Sequence, residues 1–215
     1  MADPKNTRER LIKAAIRAIE KEGESGVRIR DICKATNTTA PSVYNFFGDR
    51  LGLIRAAQAS RYRLPLATLQ HDFAEAVYLC KSKNEFTKIV HQILEVIYSE
   101  KRKPVRSKRV NVLGNAQSDR LLARELASIH DGINKVAAEP IRYAQAKKWI
   151  DEDFNPQMFY SWLVGTLNGR ALIDLDGTHP EYDDWDFIAK RAVCRLLGID
   201  EPKPTKKPRR NQTTK

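Results

Sequence analysis

The chain has 215 residues, with 38 Lys+Arg against 27 Asp+Glu and a formal charge of +11, a balance that favours a polyanionic partner through counterion release. Its cysteines, Cys33, Cys80 and Cys194, are scattered and odd in number, which excludes a disulfide framework or a Cys-based zinc motif. No run approaches the ~18 apolar residues of a membrane span, and the charged start MADPKNTRERLIK is unlike a secretory signal, so a protein of a reducing cytoplasm with no membrane partner is expected.

Apolar residues recur at helical spacing almost throughout and no period-two strand stands out, so an all-α fold is expected. The first helix is expected to open at a capping box, Asn6 with Glu9. It would bury Leu11, Ile12, Ala15, Ile16, Ala18 and Ile19 and end at Gly23. A second helix is expected over Arg30–Ala35, with Ile29, Ile32, Ala35 and Cys33 inward. Asn37 then takes the turn, because Asn tolerates positive φ better than most residues. Thr38 and Thr39 offer cap hydroxyls to a third helix of about residues 39–47, with Pro41 in its first turn. Gly48 would stop that helix and Asp49 would cap the next.

Together these elements spell a helix-turn-helix from Gly26 to Leu53, GVRIRDICKATNTTAPSVYNFFGDRLGL. In such a unit the second helix lies in the major groove while the first braces it across the backbone. With Val43 and Phe47 facing inward, Thr39, Ala40, Pro41, Ser42, Tyr44, Asn45 and Phe46 are left as candidate DNA contacts. Asn45 suits a base edge, Phe46 and Ala40 a thymine methyl, and Tyr44 and Ser42 phosphates. Arg28, Arg30 and Arg50 would clamp the backbone on either side.

Beyond this unit, a long helix is expected from Leu51 to about Cys80, open to interruption at Pro65. Glu85–Ser99 is amphipathic, with Phe86, Ile89, Val90, Ile93, Leu94 and Ile97 on one face. The basic run Lys101–Arg109 is expected to break it as a solvated loop. Helix resumes over Asp119–Lys148, with Pro140 a candidate kink, and over Gln157–Asp174 after Asn155-Pro156. An acidic loop leads to a last helix near Trp185–Leu197, ended by Gly198, and to a basic tail expected to be disordered. Asp174-Leu-Asp176-Gly177 matches the start of a calcium loop but lacks its later ligands. The four histidines have no paired ligand spacing, and no phosphate loop or nucleophile motif occurs. No metal, cofactor or catalytic residue is expected, and the protein is not expected to be an enzyme.

The segment from Thr7 to about Ala57 resembles the DNA-binding domain of TetR-family transcriptional regulators. The resemblance rests on Ala14-Ala15, Gly23, Ile32 and the block TTAPSVYNFFGDRLGL, which carries Tyr44, Phe47, Arg50 and Leu53 at the family's spacing. The chain departs from the pattern at Asn37 (usually Gly), Cys33 (usually Ala) and Arg50 (usually Lys). The resemblance implies a DNA-binding domain over residues 5–57, a helical ligand-binding and dimerisation domain over 58–198 and a tail over 199–215. It further implies a bacterial, nucleoid-associated homodimer bound to a palindromic double-stranded operator and released by an unidentified small-molecule effector. The last two helices would form the dimer interface, through Met158, Trp162, Gly165, Gly169, Leu172, Ile188 and Leu196. Pocket candidates on the central helices are Phe86, Val90, Leu94, Tyr98, Leu126, Ile129, Ile133 and Trp162. The alternatives are a helical small-molecule-binding protein or enzyme without specific DNA binding, and a nonspecific charge-driven DNA binder.

Overall fold

Residues 4–175 and 182–202 are described by the structure, a computed structural model, with backbone alone at 4, 5, 64–68, 182 and 183. They form α1 (Pro4–Glu22), α2 (Ile29–Thr36), α3 (Ala40–Phe47), α4 (Arg50–Leu79), α5 (Lys83–Tyr98), α6 (Lys103–Ala116), α7 (Arg120–Ala146), α8 (Pro156–Asp174) and α9 (Tyr182–Leu196), with no strand among the described residues. The fold is therefore all-α, as the apolar spacing predicts.

Helices α1 to α3 and the start of α4 enclose their own core of Leu11, Ala15, Val27, Ile32, Val43, Leu53 and Ala57. The predicted stop and cap signals act here: Asn37 takes the left-handed conformation (φ 50°, ψ 51°), and Asp49 caps α4 by accepting from Gly52 N at 2.6 Å. Gly52 is required for packing, since a Cβ there would lie 1.9 Å from the Phe47 carbonyl oxygen. Three local expectations are corrected. Helix α1 opens at Pro4, whose restricted φ suits a first turn, so Asn6 lies inside the helix rather than at its cap. Thr36, not Ala35, is buried at the end of α2, where its hydroxyl donates to Ile32 O at 2.8 Å. Thr39 occupies the N-cap of α3 but makes no side-chain cap bond, its hydroxyl pairing instead with Ser42 Oγ at 3.1 Å.

Helix α4 is the spine of the molecule, packing against α1, α3, α6 and α7 and running through Pro65 without a break. Pro140 likewise lies within α7 rather than ending it. One body core joins α4, α6 and α7 through Tyr62, Val112, Leu122 and Leu126. A second joins α5, α7, α8 and α9 through Phe86, Leu94, Tyr98, Ile141, Phe159 and Val193.

The largest correction falls on residues 101–109, which form no solvated loop. Glu100–Arg102 is a 3-10 turn and α6 begins at Lys103, with Arg106 and Arg109 buried. The helix can bury an arginine because the fold supplies a counter-charge. Arg106 donates through Nε and Nη2 to the two carboxylate oxygens of Asp174, at 2.6 and 3.1 Å, and Arg170 Nη1 donates to the same carboxylate at 2.7 Å. Both carboxylate oxygens of Asp174 thus accept from arginines. The expected tail is also corrected at its start. Ile199 is buried, and Glu201 accepts from Arg191 Nε (2.5 Å) and Arg195 Nε (2.6 Å), which holds it to α9. The remaining tail charges, from Lys203 onward, and the loop centre at 176–181 lie outside the described residues.

Candidate nucleic-acid interface and ligand cavity

Helix α3 is anchored by Val43, fully buried, and by Phe47, partly buried against the N-terminal core. The opposite face carries Thr39, Pro41, Tyr44 and Asn45 exposed to solvent and Ser42 half-buried. Ala40 and Phe46 are partly buried: both pack against the N-terminal core, so Phe46 also holds α3 in place. Arg28 and Arg30 are exposed. The ion pairs of Arg28 with Glu22 (3.9 Å) and Asp31 (3.8 Å) join exposed side chains, which leaves its charge available to a phosphate at little cost.

Arg50 is not a free clamp. Its Nε donates to Val27 O at 2.6 Å and its Nη2 to Glu24 O at 2.5 Å, pinning the loop between α1 and α2 onto α4. A further set of cations lies on α1 and α2. Arg10, Lys13 and Arg17 repeat along one face of α1 and, with Lys34 and the α2 terminus at Asn37, line a basic concavity of about 330 Å³. Their helical spacing was the available signal; that α2 closes the concavity follows only from packing.

The body holds a largely apolar cavity of about 120 Å³ lined from α4, α5, α6, α7, α8 and α9. Of the predicted pocket residues, Val90 and Leu94 line it. Phe86 and Tyr98 are sealed in the adjoining core, and burial pushes the Tyr98 hydroxyl up to about 12. Leu126, Ile129 and Ile133 belong to the separate core between α4, α6 and α7. Trp162 is exposed on the far side of α8, because helical phase turns Phe159, Tyr160, Leu163 and Leu167 towards the cavity instead.

The cavity lining also includes Arg61, Arg102, Arg106 and Arg109, together with Tyr62 and Tyr160. Arg109 Nη2 donates to Tyr62 Oη at 2.8 Å, which leaves the Tyr62 proton for His130 Nδ1 at 3.2 Å. Burial and the Arg109 charge hold His130 below the usual histidine range. Burial also raises Tyr160, against the opposing hydrogen bond from Gln70. It pushes the Cys194 thiol up to about 11 and raises Cys80 as well, which keeps both as unreactive thiols. Among the described residues no group of three or more His, Cys, Asp or Glu could hold a metal ion, and no helix is long and apolar enough to cross a membrane.

On the outer face of α8 and α9, Met158, Trp162, Leu172, Ile188 and Leu196 are exposed, Leu172 by 69% and Ile188 by 67%. Gly165 lies open beside them. Gly169 differs: a Cβ there would lie 3.2 Å from the Trp185 ring, so this glycine serves the approach of α9 within the chain.

Residues 11–57 match the family described as bacterial regulatory proteins, tetR family. No curated protein sequence matches the chain. Solved structures of similar fold include a TetR-family regulator from Rhodococcus sp. (20% identity, 89% of this chain and 98% of that chain, TM-score 0.60). GusR of Salmonella enterica is 18% identical over 93% of this chain and 99% of its own, with a TM-score of 0.61. A transcriptional regulator from Saccharomonospora viridis, solved in complex with choline, is 15% identical over 90% of this chain and 98% of its own, with a TM-score of 0.58. The chain thus carries a TetR-family helix-turn-helix DNA-binding domain at residues 11–57, set in the fold of that family's transcriptional regulators.

Proposed function

We propose that the protein is a homodimeric repressor that reads a palindromic operator with α3 and leaves it when a small molecule enters the body cavity. The observation that carries this reading is the division of α3 into a face held by Val43 and Phe47 and a face that presents Pro41, Tyr44 and Asn45 to solvent. Arg28 and Arg30, both exposed, would bind phosphates on either side of the groove, and the cations of α1 would widen the basic surface. Residues 5–57 act as the DNA-binding domain and 58–198 as the ligand-binding and dimerisation domain, with two copies joined through the exposed apolar stripe of α8 and α9. One recognition helix reads too few base pairs for a unique site, and a linked pair reaches successive major grooves ~34–36 Å apart. A ligand that favours another separation weakens operator binding by its differential affinity for the two states. The choline bound in the S. viridis neighbour supports a fold that takes small organic ligands. Catalysis is no part of this reading, and the site of action is the bacterial cytoplasm.

The test is selection of bound sequences from a random duplex pool at ~150 mM salt with excess nonspecific competitor, where charge-driven binding is suppressed. Recovery of a palindromic site is the expected result. Recovery of no preferred sequence would overturn the reading in favour of charge-driven binding.

A further inference from the structure

Arg61 and Arg109 are 8% and 7% exposed, and neither forms an ion pair with a carboxylate among the described residues. Arg61 Nη1 donates to the neutral amides Gln58 Oε1 (2.6 Å) and Asn111 Oδ1 (3.3 Å). Arg109 donates to Tyr62 Oη and stacks on the same ring, its guanidinium carbon 4.5 Å from the ring centroid. The Nε atoms of both are buried without a hydrogen-bond partner among the described residues. Glu20 and Glu24 act on Arg61 only from beyond ion-pair distance. Arg106, one turn before Arg109, shows the contrast, because Asp174 neutralises it directly. A guanidinium taken out of water is costly unless it is paired and hydrogen-bonded. Here two such groups, from α4 and α6, line one cavity whose remaining wall is mainly apolar.

We propose that this cavity takes an organic anion, with a carboxylate or phosphate head on Arg61 and Arg109 and an apolar body along Phe73, Leu94, Phe159 and Leu163. This deepens the reading of the cavity as the effector site and rests on it. A planar guanidinium meets either oxyanion with two parallel hydrogen bonds, so the head satisfies the orphaned N–H groups as well as the charge. The head also reaches the DNA-binding end. Arg61 holds Gln58, and Gln58 Nε2 donates to Glu24 Oε1 at 2.6 Å in the turn between α1 and α2. An anion that draws Arg61 towards itself competes with the first of those two bonds.

The experiment is titration of the full-length protein with octanoate, octyl phosphate, octanol and octyltrimethylammonium, followed by calorimetry. The expected result is that at least one anion binds roughly ten-fold or more tightly than the alcohol, while the ammonium does not compete. Arg109→Gln removes that advantage and Arg109→Lys retains part of it. The comparison on the unaltered protein depends on no variant folding, and the ratio of octanoate to octyl phosphate assigns the head group. The inference is overturned if the alcohol binds as tightly as both anions, if the ammonium binds best, or if none of the four binds. Failure of sequence selection with the anion preference intact would remove the operator reading alone. Successful selection without an anion preference would remove only this inference.

Discussion

Gln58 donates a 2.6 Å hydrogen bond to Glu24 from a fully buried position on α4, while its own carbonyl accepts from Arg61 in the cavity wall. Asn115 of α6 donates to the same Glu24 oxygen at 2.9 Å, and the Glu24 carbonyl accepts from Arg50. A contiguous run of polar contacts therefore joins the cavity to the turn between α1 and α2. Coupling along this run is tested at Gln58. Gln58→Leu leaves Arg61 Nη1 with only the longer Asn111 contact and removes one partner of Glu24, and is expected to cost about 1–3 kcal/mol in urea unfolding. It is also expected to shrink the factor by which octanoate changes operator affinity, read by fluorescence anisotropy with and without the acid.

Exposure separates the two kinds of residue on α3. Tyr44→Ala and Asn45→Ala are expected to abolish sequence-specific binding while shifting stability by no more than ~0.5 kcal/mol. Phe46→Ala removes packing against the N-terminal core and is expected to cost about 1–3 kcal/mol. Paired measurements of melting temperature and operator affinity distinguish the classes. Equal stability losses in all three variants would contradict the assignment.

Asp174 sits between Arg106 and Arg170, and Arg170 also donates to Asp186 at 2.7 Å. Asp174→Asn leaves two buried guanidinium groups undercompensated and is expected to destabilise the protein by about 3–5 kcal/mol. Denaturant midpoints would show this directly. A loss below ~1 kcal/mol, typical of exposed pairs, would mean that water reaches the cluster.

His130 gives a pH dependence of definite sign. Burial and Arg109 depress its basicity, with Asp131 opposing, so the folded state prefers the neutral ring. Protonation then favours the unfolded chain. This contribution to stability is complete above the ordinary histidine value of 6.5 and is lost as pH falls below it. Urea unfolding at pH 7.5 and 5.5 is expected to show a larger acid loss for the unaltered protein than for His130→Gln.

Leu172 and Ile188 expose large apolar side chains on the outer face of α8 and α9. Leu172→Glu combined with Ile188→Glu is expected to yield a folded monomer by analytical ultracentrifugation, with lost palindrome binding. Retention of a dimer would move the interface to another face.

Much of the N-terminal unit was legible because its signals act between near neighbours. The left-handed Asn37, the stop at Gly48, the Asp49 cap and the solvent face of Tyr44 and Asn45 all follow from local backbone sterics and helical periodicity. The helical class of the body followed in the same way. Tertiary structure alone decided the rest. Helix α6 has no periodic signature because two of its buried positions are arginines, which leave no apolar stripe, and the counter-charge of Arg106 lies 68 residues further along the chain. Arg50 looked like a phosphate clamp until its guanidinium met the carbonyls of Val27 and Glu24, contacts made across 23 and 26 residues. The cavity wall was set by which faces of α4, α5, α6 and α8 converge, turning Phe159 and Leu163 inward and Trp162 outward. Periodicity tells which face of a helix is apolar, but a charge satisfied by a distant partner, or a void between helices, leaves no periodic trace.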